Sequence, residues 1–344
     1  GVGFVSSVCP CKKLKVSCSP KNSRCENGIR YVPVRLLDVA GLVPGAHEGR
    51  GLGNQFLNDL TQASGLIHVL DVSGRTNAEG KPDNGWNPER TVEILEREID
   101  EWIRDIAGKA FSKTRTIAKT QNKPIEKLLS AQLSGLGITE EDIKNALKHS
   151  EPGSLEFASK LRKISKPIVV AANKIDLPES QQNFERLRNK LSEQKMIPCS
   201  AESELALKEA SKHGLIRYVP GSSGFEITGQ PSEKQRQALD FIRKNVLEKY
   251  GSTGVQQCLN SMVFDVLKMI AVYPVADINK LSDQYGNVLP DAHLVPKGTT
   301  LKELAFRIHS EIGENFIGGL NIEKKKIGAD YELKDGDVVE ILVK

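Results

Sequence analysis

The 344-residue sequence contains no apolar run approaching the ~18 residues that a membrane-spanning helix needs. No charged-then-apolar signal segment opens it either. The expectation is a cytoplasmic protein without a membrane partner. Charge of one sign is also scarce. Lys and Arg number 48 against 44 Asp and Glu, a net charge of +4, so any nucleic-acid contact has to come from local patches rather than a global field. Six cysteines are too few for a secreted disulfide scaffold of this length. Internal repeats are missing. So is any G-x-x-x-x-G-K-[ST] string: Gly80-Lys81 and Gly108-Lys109 lack the upstream glycine, the hydroxyl residue and the strand–turn–helix setting. The chain also opens on Gly1, straight into a strand-like "VGFV", and reads as a fragment whose natural N-terminus lies further upstream.

What is present suits two or three domains with real cores, since 39% of residues are hydrophobic and 27% charged. Three apolar runs read as buried parallel strands: "VPVRLLD" (32–38), "LIHVLDV" (66–72) and "PIVVAANK" (167–174). Each carries a polar residue at or next to its C-terminal end. A short helical pattern, Gln55 to Ala63, lies between the first two, and strands alternating with helices imply an α/β fold with a parallel sheet. Ligands in such sheets bind beyond the carboxyl ends of the strands.

A long stretch without strand signals, 87–164, reads as a helical or coiled-coil insertion. Pro88 and Glu89 mark a helix start, Val92, Leu95, Ile99 and Ile103 recur at helical spacing, Ile125–Leu133 forms a second pattern, and Thr139 with Asp142 forms a capping signature. After Glu202 the pattern is helical, with turns at "PGSSG" and "GQPS". From about Met269 the chain changes character. "MIAVYPV" is a strand, "TTLKELAFRIHSEIG" (299–313) an amphipathic helix, and "YELKDGDVVEILVK" a strand, an Asp-Gly turn and a final strand. A small module of the β-grasp shape fits.

Three motifs carry chemistry. In "RLLDVAGLVPGAHEGRGLGN" (35–54), Asp38 at a strand tip can reach magnesium through a coordinated water, and the Gly41 N–H can meet a γ-phosphate because no Cβ blocks the approach. In "NKID" (173–176), Asn173 and Asp176 can bond a purine. A carboxylate accepts both donors of the guanine N1/N2 edge, which adenine does not offer, and the Lys174 stem can lie over the ring. "CSAES" (199–203) places Ser200 and Ala201 where backbone N–H groups can meet guanine O6.

In this order these motifs resemble the third, fourth and fifth motifs of the P-loop GTPases. The string "DVAGLVPGAHEGRGLGNQFLNDL" is similar to the Obg superfamily and, within it, to the YchF subfamily, with the four-cysteine opening suggesting its archaeal branch. The resemblance implies an Obg-type G domain over 1–88 and 165–265, lacking its phosphate loop and first switch, a helical insertion over 89–164, and a TGS β-grasp domain over 266–344. It implies a GTP- and magnesium-dependent hydrolase acting as a switch around the ribosome. The rival reading is a non-catalytic ribosome- or RNA-binding module with nucleotide as a conformational effector, or an ATP-preferring relative. Retention of Lys174 and Asp176 favours GTP.

Leu42 stands where Ras-like GTPases place a water-orienting glutamine, and a leucine cannot orient water by hydrogen bonding. Another group, a potassium ion or a partner has to do so. His47 is the local polar candidate, against the plainer reading of a solvent-facing histidine. Cys9, Cys11, Cys18 and Cys25 offer four thiolates, a tetrahedral zinc set in chemistry. Their C-x-C start departs from the usual C-x2-C knuckle and favours free, redox-sensitive thiols over zinc. Basic clusters at Lys113, Arg115, Lys119, Lys123 and Lys127, and at Lys324 to Lys326, point to an RNA or ribosome partner through the insertion and the TGS-like module. Without a phosphate loop, the chain as read is expected to bind GTP weakly and to be inactive. A calorimetric titration with a non-hydrolysable GTP analogue should show no binding at micromolar concentration, and micromolar or tighter binding would contradict this.

Overall fold

The computed structural model describes residues 1–39, 45 and 59–344. The chain divides into two compact units, Gly1–Leu36 with Leu259–Lys344, and Leu37–Cys258. In the first, strand β1 (Val2–Val8) pairs antiparallel with β3 (Ile29–Arg35) along its full length, from Val2 opposite Arg35 to Val8 opposite Ile29. Between them lie helix α1 (Cys11–Leu14) and the short β2 (Arg24–Glu26), which pairs with the start of β3. This corrects the expectation that 32–38 forms a parallel strand. The opening strand supplies an antiparallel partner in full register, and β3 ends at Arg35, short of Asp38. Pro33 lies past Tyr31, the last residue that β2 pairs. There β3 has one neighbour, the setting in which a strand tolerates a residue without N–H.

The second unit holds the parallel sheet, in the order β4 (Leu66–Asp71), β5 (Ile168–Asn173), β6 (Met196–Pro198). β5 is buried from Ile168 to Ala172, the continuous apolar run expected of a central parallel strand covered on both faces. Between β4 and β5 comes the helical insertion. Helix α2 (Pro88–Gln121) starts where the Asn87 side chain accepts the Glu89 N–H, with Pro88 in the first turn, and stops where Asn122 turns left-handed at φ 49°. Its buried face runs Val92, Ile99, Ile103, Ala107, Ala110. Helices α3 (Ile125–Leu133), α4 (Glu140–Leu147) and α5 (Leu155–Ser165) complete it, and the Thr139–Asp142 capping box is present. Helices α6 (Ser180–Lys190) and α7 (Ala201–Lys212) flank β6 in the chain. A hairpin of β7 (Ile216–Tyr218) and β8 (Phe225–Ile227) follows, then α8 (Glu233–Ile242). This hairpin departs from the helical pattern expected after Glu202, since three-residue strands are too short to show alternation.

The remaining part of the first unit is a mixed five-stranded sheet in the order β10, β9, β13, β11, β12. β9 (Met269–Val275) runs parallel to β13 (Val338–Val343), while β10 (His293–Pro296), β11 (Phe316–Asn321) and β12 (Lys326–Ile327) pair antiparallel to their neighbours. The expected single helix over 299–313 is two. α9 (Leu301–Ile308), opened by a Thr300–Glu303 capping box, ends at His309, whose backbone is extended and whose Nδ1 accepts the Glu311 N–H to start α10 (Ser310–Glu314). The segment before the Asp335-Gly336 turn makes only an isolated bridge, Glu332 with Thr300, rather than a strand.

One ion pair fastens the insertion. Arg162 on α5, almost fully buried, donates from Nε to Asp100 of α2 at 2.6 Å and lies 3.3 Å from Glu96. Removing one partner of such a pair leaves a buried charge uncompensated, so Arg162→Met should cost about 3–5 kcal/mol of stability. Urea unfolding checks this. Combining Arg162→Met with Asp100→Leu should recover most of the loss, and a double variant as unstable as the single one would contradict the assignment.

Candidate nucleotide-base site

Parallel pairing of β4 and β5 sets Asp71 opposite Asn173, so the polar ends of both strands finish together. Immediately after β5 the backbone leaves the extended region. Lys174 sits at φ 62°, a conformation that costs a non-glycine residue energy and persists only where its surroundings enforce it. Here they do. The Lys174 carbonyl accepts the Ser180 hydroxyl at 2.6 Å and the Leu177 N–H at 3.1 Å, and the Ile175 N–H reaches the Cys199 carbonyl at 3.0 Å. The Lys174 ammonium lies 2.7 Å from Asp71, which also accepts the Ser73 N–H at 2.9 Å and the Thr76 hydroxyl at 2.8 Å. Burial pushes the Asp71 carboxyl upward, but these hydrogen bonds, led by Lys174, outweigh it and hold the pKa below the ordinary aspartate value. With its charge committed to Asp71, Lys174 presents its half-exposed aliphatic stem. Asp71 was not singled out from sequence. Its only signal was its place at the end of "LIHVLD".

The "CSAES" motif is the start of α7. Ser200 is its N-cap, accepting the Ser203 N–H at 3.2 Å. The Ser200 N–H is held by the Thr253 carbonyl at 2.9 Å. Beneath it, Glu204 accepts the Tyr218 hydroxyl at 2.7 Å and the Thr253 hydroxyl at 2.6 Å. The Tyr218 phenol is pushed well above its usual pKa by burial and by Glu204. Gly254 passes so close to Pro198 that a Cβ would collide with the Pro198 carbonyl, at positive φ, so the loop at 252–254 can brace this turn only with glycine there.

Asn173 joins the two motifs: its Oδ1 accepts the Ala201 N–H at 3.0 Å. That N–H, expected to be open for a guanine oxygen, is thus already engaged. The Glu202 N–H, in the first turn of the same helix, has no intrahelical partner to lose. Asp176 is half-buried, and among the described residues its carboxylate makes no hydrogen bond or ion pair. The hydrogen bond from the Ala201 N–H to Asn173 therefore ties the Asn173-Lys174 pair to the Ser200-Ala201 pair, with Asp176 two residues beyond Lys174.

The phosphate-side residues fare differently. Asp38 is exposed in coil beyond β3, and among the described residues no hydrogen bond or ion pair joins it to the base motifs. Gly41, Leu42 and His47 lie outside the described residues. From the same glycine-rich stretch, the Gly45 N–H donates to Glu98 of α2 at 2.7 Å, a tie between that stretch and the insertion that the sequence did not signal.

A parallel α/β sheet whose strand ends carry a linked N-K-x-D and S-A pair defines a nucleotide-binding protein of the GTPase class. The comparisons agree. A family model described as an Obg-like GTPase, YGR210-like, G4 motif-containing domain matches residues 171–277, and a TGS domain model matches residues 285–343. A GTP-binding protein of Methanocaldococcus jannaschii is 50% identical over 353 aligned residues, covering 99% of this chain and 89% of that protein. The crystal structure of a GTP-binding protein from Pyrococcus horikoshii OT3 superposes with a TM-score of 0.80 at 38% identity, covering 100% of this chain and 93% of that one. A protein of Buchnera aphidicola named as the ribosome-binding ATPase YchF is 22% identical over 90% of this chain and 81% of its own length. The chain belongs to the Obg-like GTP-binding proteins of the YGR210-like kind and carries a TGS domain.

Because the folded pKa of Asp71 is lowered, its contribution to stability is complete above the unfolded value of about 3.9 and is lost as pH falls through the folded one. Asp71→Asn should therefore lower the melting temperature most near neutral pH, with the difference from wild type narrowing below about pH 4. Melting curves across pH check this, and a pH-independent difference would contradict it.

Proposed function

We propose that this protein binds GTP through the linked base site and hydrolyses it as a ribosome-associated switch. The observation carrying the base assignment is the Asp176 carboxylate, half-buried and without a partner among the described residues, at the end of β5. A carboxylate so placed accepts the guanine N1–H and 2-amino donors together. An adenine leaves it unpaired, and leaving a buried charged acceptor unpaired is the costly outcome. Asn173 then acts chiefly as a brace that holds the Ala201 N–H at the start of α7, the Lys174 stem covers one face of the ring, and the first-turn N–H of Glu202 forms the electropositive end toward O6.

At the phosphate end the proposal rests on Asp38 and Gly41. Magnesium takes few protein ligands, often one carboxylate, and completes its shell with phosphate oxygens and water. An exposed Asp38, without a partner among the described residues, fits that part, and the ion would offset charge on the phosphates. Hydrolysis places water on the γ-phosphorus, breaks the bond to the β-phosphate oxygen and yields GDP and phosphate. Leu42 cannot orient that water, so His47, a potassium ion or a partner does. The tie between Gly45 and Glu98 gives the insertion a direct hold on the glycine-rich stretch at Gly45.

The ribosome part rests on surface charge and on the name of the Buchnera relative. Lys113, Arg115, Lys119, Lys123 and Lys127 are all exposed near the far end of α2 and on the segment after it, as are Lys324, Lys325 and Lys326 in the C-terminal module. Lys325 is paired with Glu323. That relative is named an ATPase, and Asp176 separates the two possibilities. Asp176→Asn replaces a double acceptor by a donor and an acceptor, the pattern that complements xanthine. In protein expressed from its whole reading frame, this change should weaken GTP on the order of 100-fold, the loss of two charge-assisted bonds, while improving binding and turnover of xanthosine triphosphate. Unchanged GTP affinity would overturn the assignment.

A further inference from the structure

The four N-terminal cysteines converge. Cys9 follows β1, Cys11 opens α1, Cys18 lies in the loop beyond and Cys25 sits on β2. Their sulfur atoms all lie within 4.8 Å of one another, and those of Cys11 and Cys25 are 3.9 Å apart. With zinc–sulfur bonds of about 2.3 Å, a regular tetrahedron spaces its sulfurs at about 3.8 Å. The local backbone explains why a C-x-C start achieves this. Pro10 turns the chain directly into α1, Lys15 turns left-handed at its end, and Asn27 and Gly28, both at positive φ, return β3 beside β2. The Cys9 N–H is fixed by the Gly28 carbonyl at 2.8 Å, and the Cys11 backbone N–H points to the Cys9 sulfur.

A second observation is independent of the sulfurs' spacing. Arg30 is completely buried. Its guanidinium reaches the Leu289 carbonyl at 2.8 Å, Ser23 at 3.2 Å, the Pro290 carbonyl at 3.4 Å and the Cys9 sulfur at 3.6 Å, all uncharged acceptors while that thiol keeps its proton. Among the described residues, the acidic groups that act on it most strongly are Cys9, Tyr273 and Cys18. Its Nε has no partner among the described residues, and neither has the fully buried Tyr273 hydroxyl, which faces Cys9 and Cys25. A guanidinium does not shed its proton, and a buried charge is sustained only by an opposite one. Four neutral thiols cannot supply it.

We propose that Cys9, Cys11, Cys18 and Cys25 bind one zinc ion as a four-thiolate site. On binding, the thiols release their protons to solvent. Zn2+ with four thiolates carries a net charge of −2, which supplies Arg30 with its counter-charge and offers sulfur acceptors to Arg30 Nε and the Tyr273 hydroxyl. Four protein ligands leave no open position, so the ion is structural. Cys9 and Cys11 pack with Tyr273, Leu289 and Val338, so the ion would fasten the N-terminal hairpin to the β-grasp part of the same unit. This site is separate from the base site, whose residues belong to the other unit.

Elemental analysis of the purified chain, prepared without chelator or added metal, should find one zinc and no iron per chain. A mercurial reagent should release that zinc, and Co2+ refilling should give the charge-transfer and ligand-field bands of a tetrahedral all-thiolate site. Cys18→Ser, the change at the loop ligand, should blue-shift and weaken those bands, and zinc removal should lower the melting temperature of the wild-type chain. A metal-free chain, iron in place of zinc, or a cobalt spectrum unaltered by Cys18→Ser would overturn the proposal, as would a disulfide joining any of the four. The wild-type zinc content stands even if the variant fails to fold.

Discussion

The base site depends on one register, that of β4 against β5. Because the strands are parallel and end level, Asp71 and Asn173 emerge side by side, and the next residue, Lys174, can turn left-handed and place its ammonium on Asp71. A slip of one residue would invert every side chain on β4, exposing Leu70 and burying the wrong neighbour of Asp71. The apolar continuity of β5 holds it at the centre of the sheet, and the Ile175–Cys199 and Asn173–Ala201 bonds carry the register across to α7. The site is a consequence of sheet geometry, finished by side chains.

What was legible in the sequence is what rests on local chemistry. Apolar runs marked β4, β5 and β9. Start and capping signals marked α2 and α4, amphipathic spacing marked the helical stretch at 299–313, and the motifs at Asn173 to Asp176 and Ser200 to Ala201 marked the candidate base site. What was not legible depends on partners distant in sequence. An apolar run cannot say whether its neighbour lies parallel or antiparallel, and β3 turned out to belong to the antiparallel hairpin with β1. Asp71 shows its role only once Lys174 is beside it. The break at His309 comes from a side chain that caps the following helix, a choice that periodicity does not record. The cysteines are the sharpest case: their spacing argued against a common zinc knuckle, whereas the turns at Lys15 and Asn27-Gly28 bring the sulfurs together.

The candidate base site and the cysteine cluster use polar burial in different ways. Around the base site, buried polar groups are paired, as with Asp71 and Lys174 or Glu204 with Tyr218 and Thr253, which fixes a shape for a ligand to meet. Around the cysteines, buried polar groups are left wanting, at Arg30 and Tyr273. Satisfied networks pre-organise a site, and unsatisfied ones indicate a missing component. Asp176 stands apart from both, half-buried and without a partner among the described residues, within a braced frame, which is where the proposed guanine specificity would be set.

The central claim is that this frame reads guanine. The direct measurement is a competition titration of GTP against ATP, under identical salt and magnesium, on protein expressed from the whole reading frame. GTP displacing ATP at a small fraction of its concentration is the predicted result. ATP binding as tightly as GTP, or more tightly, would contradict the account.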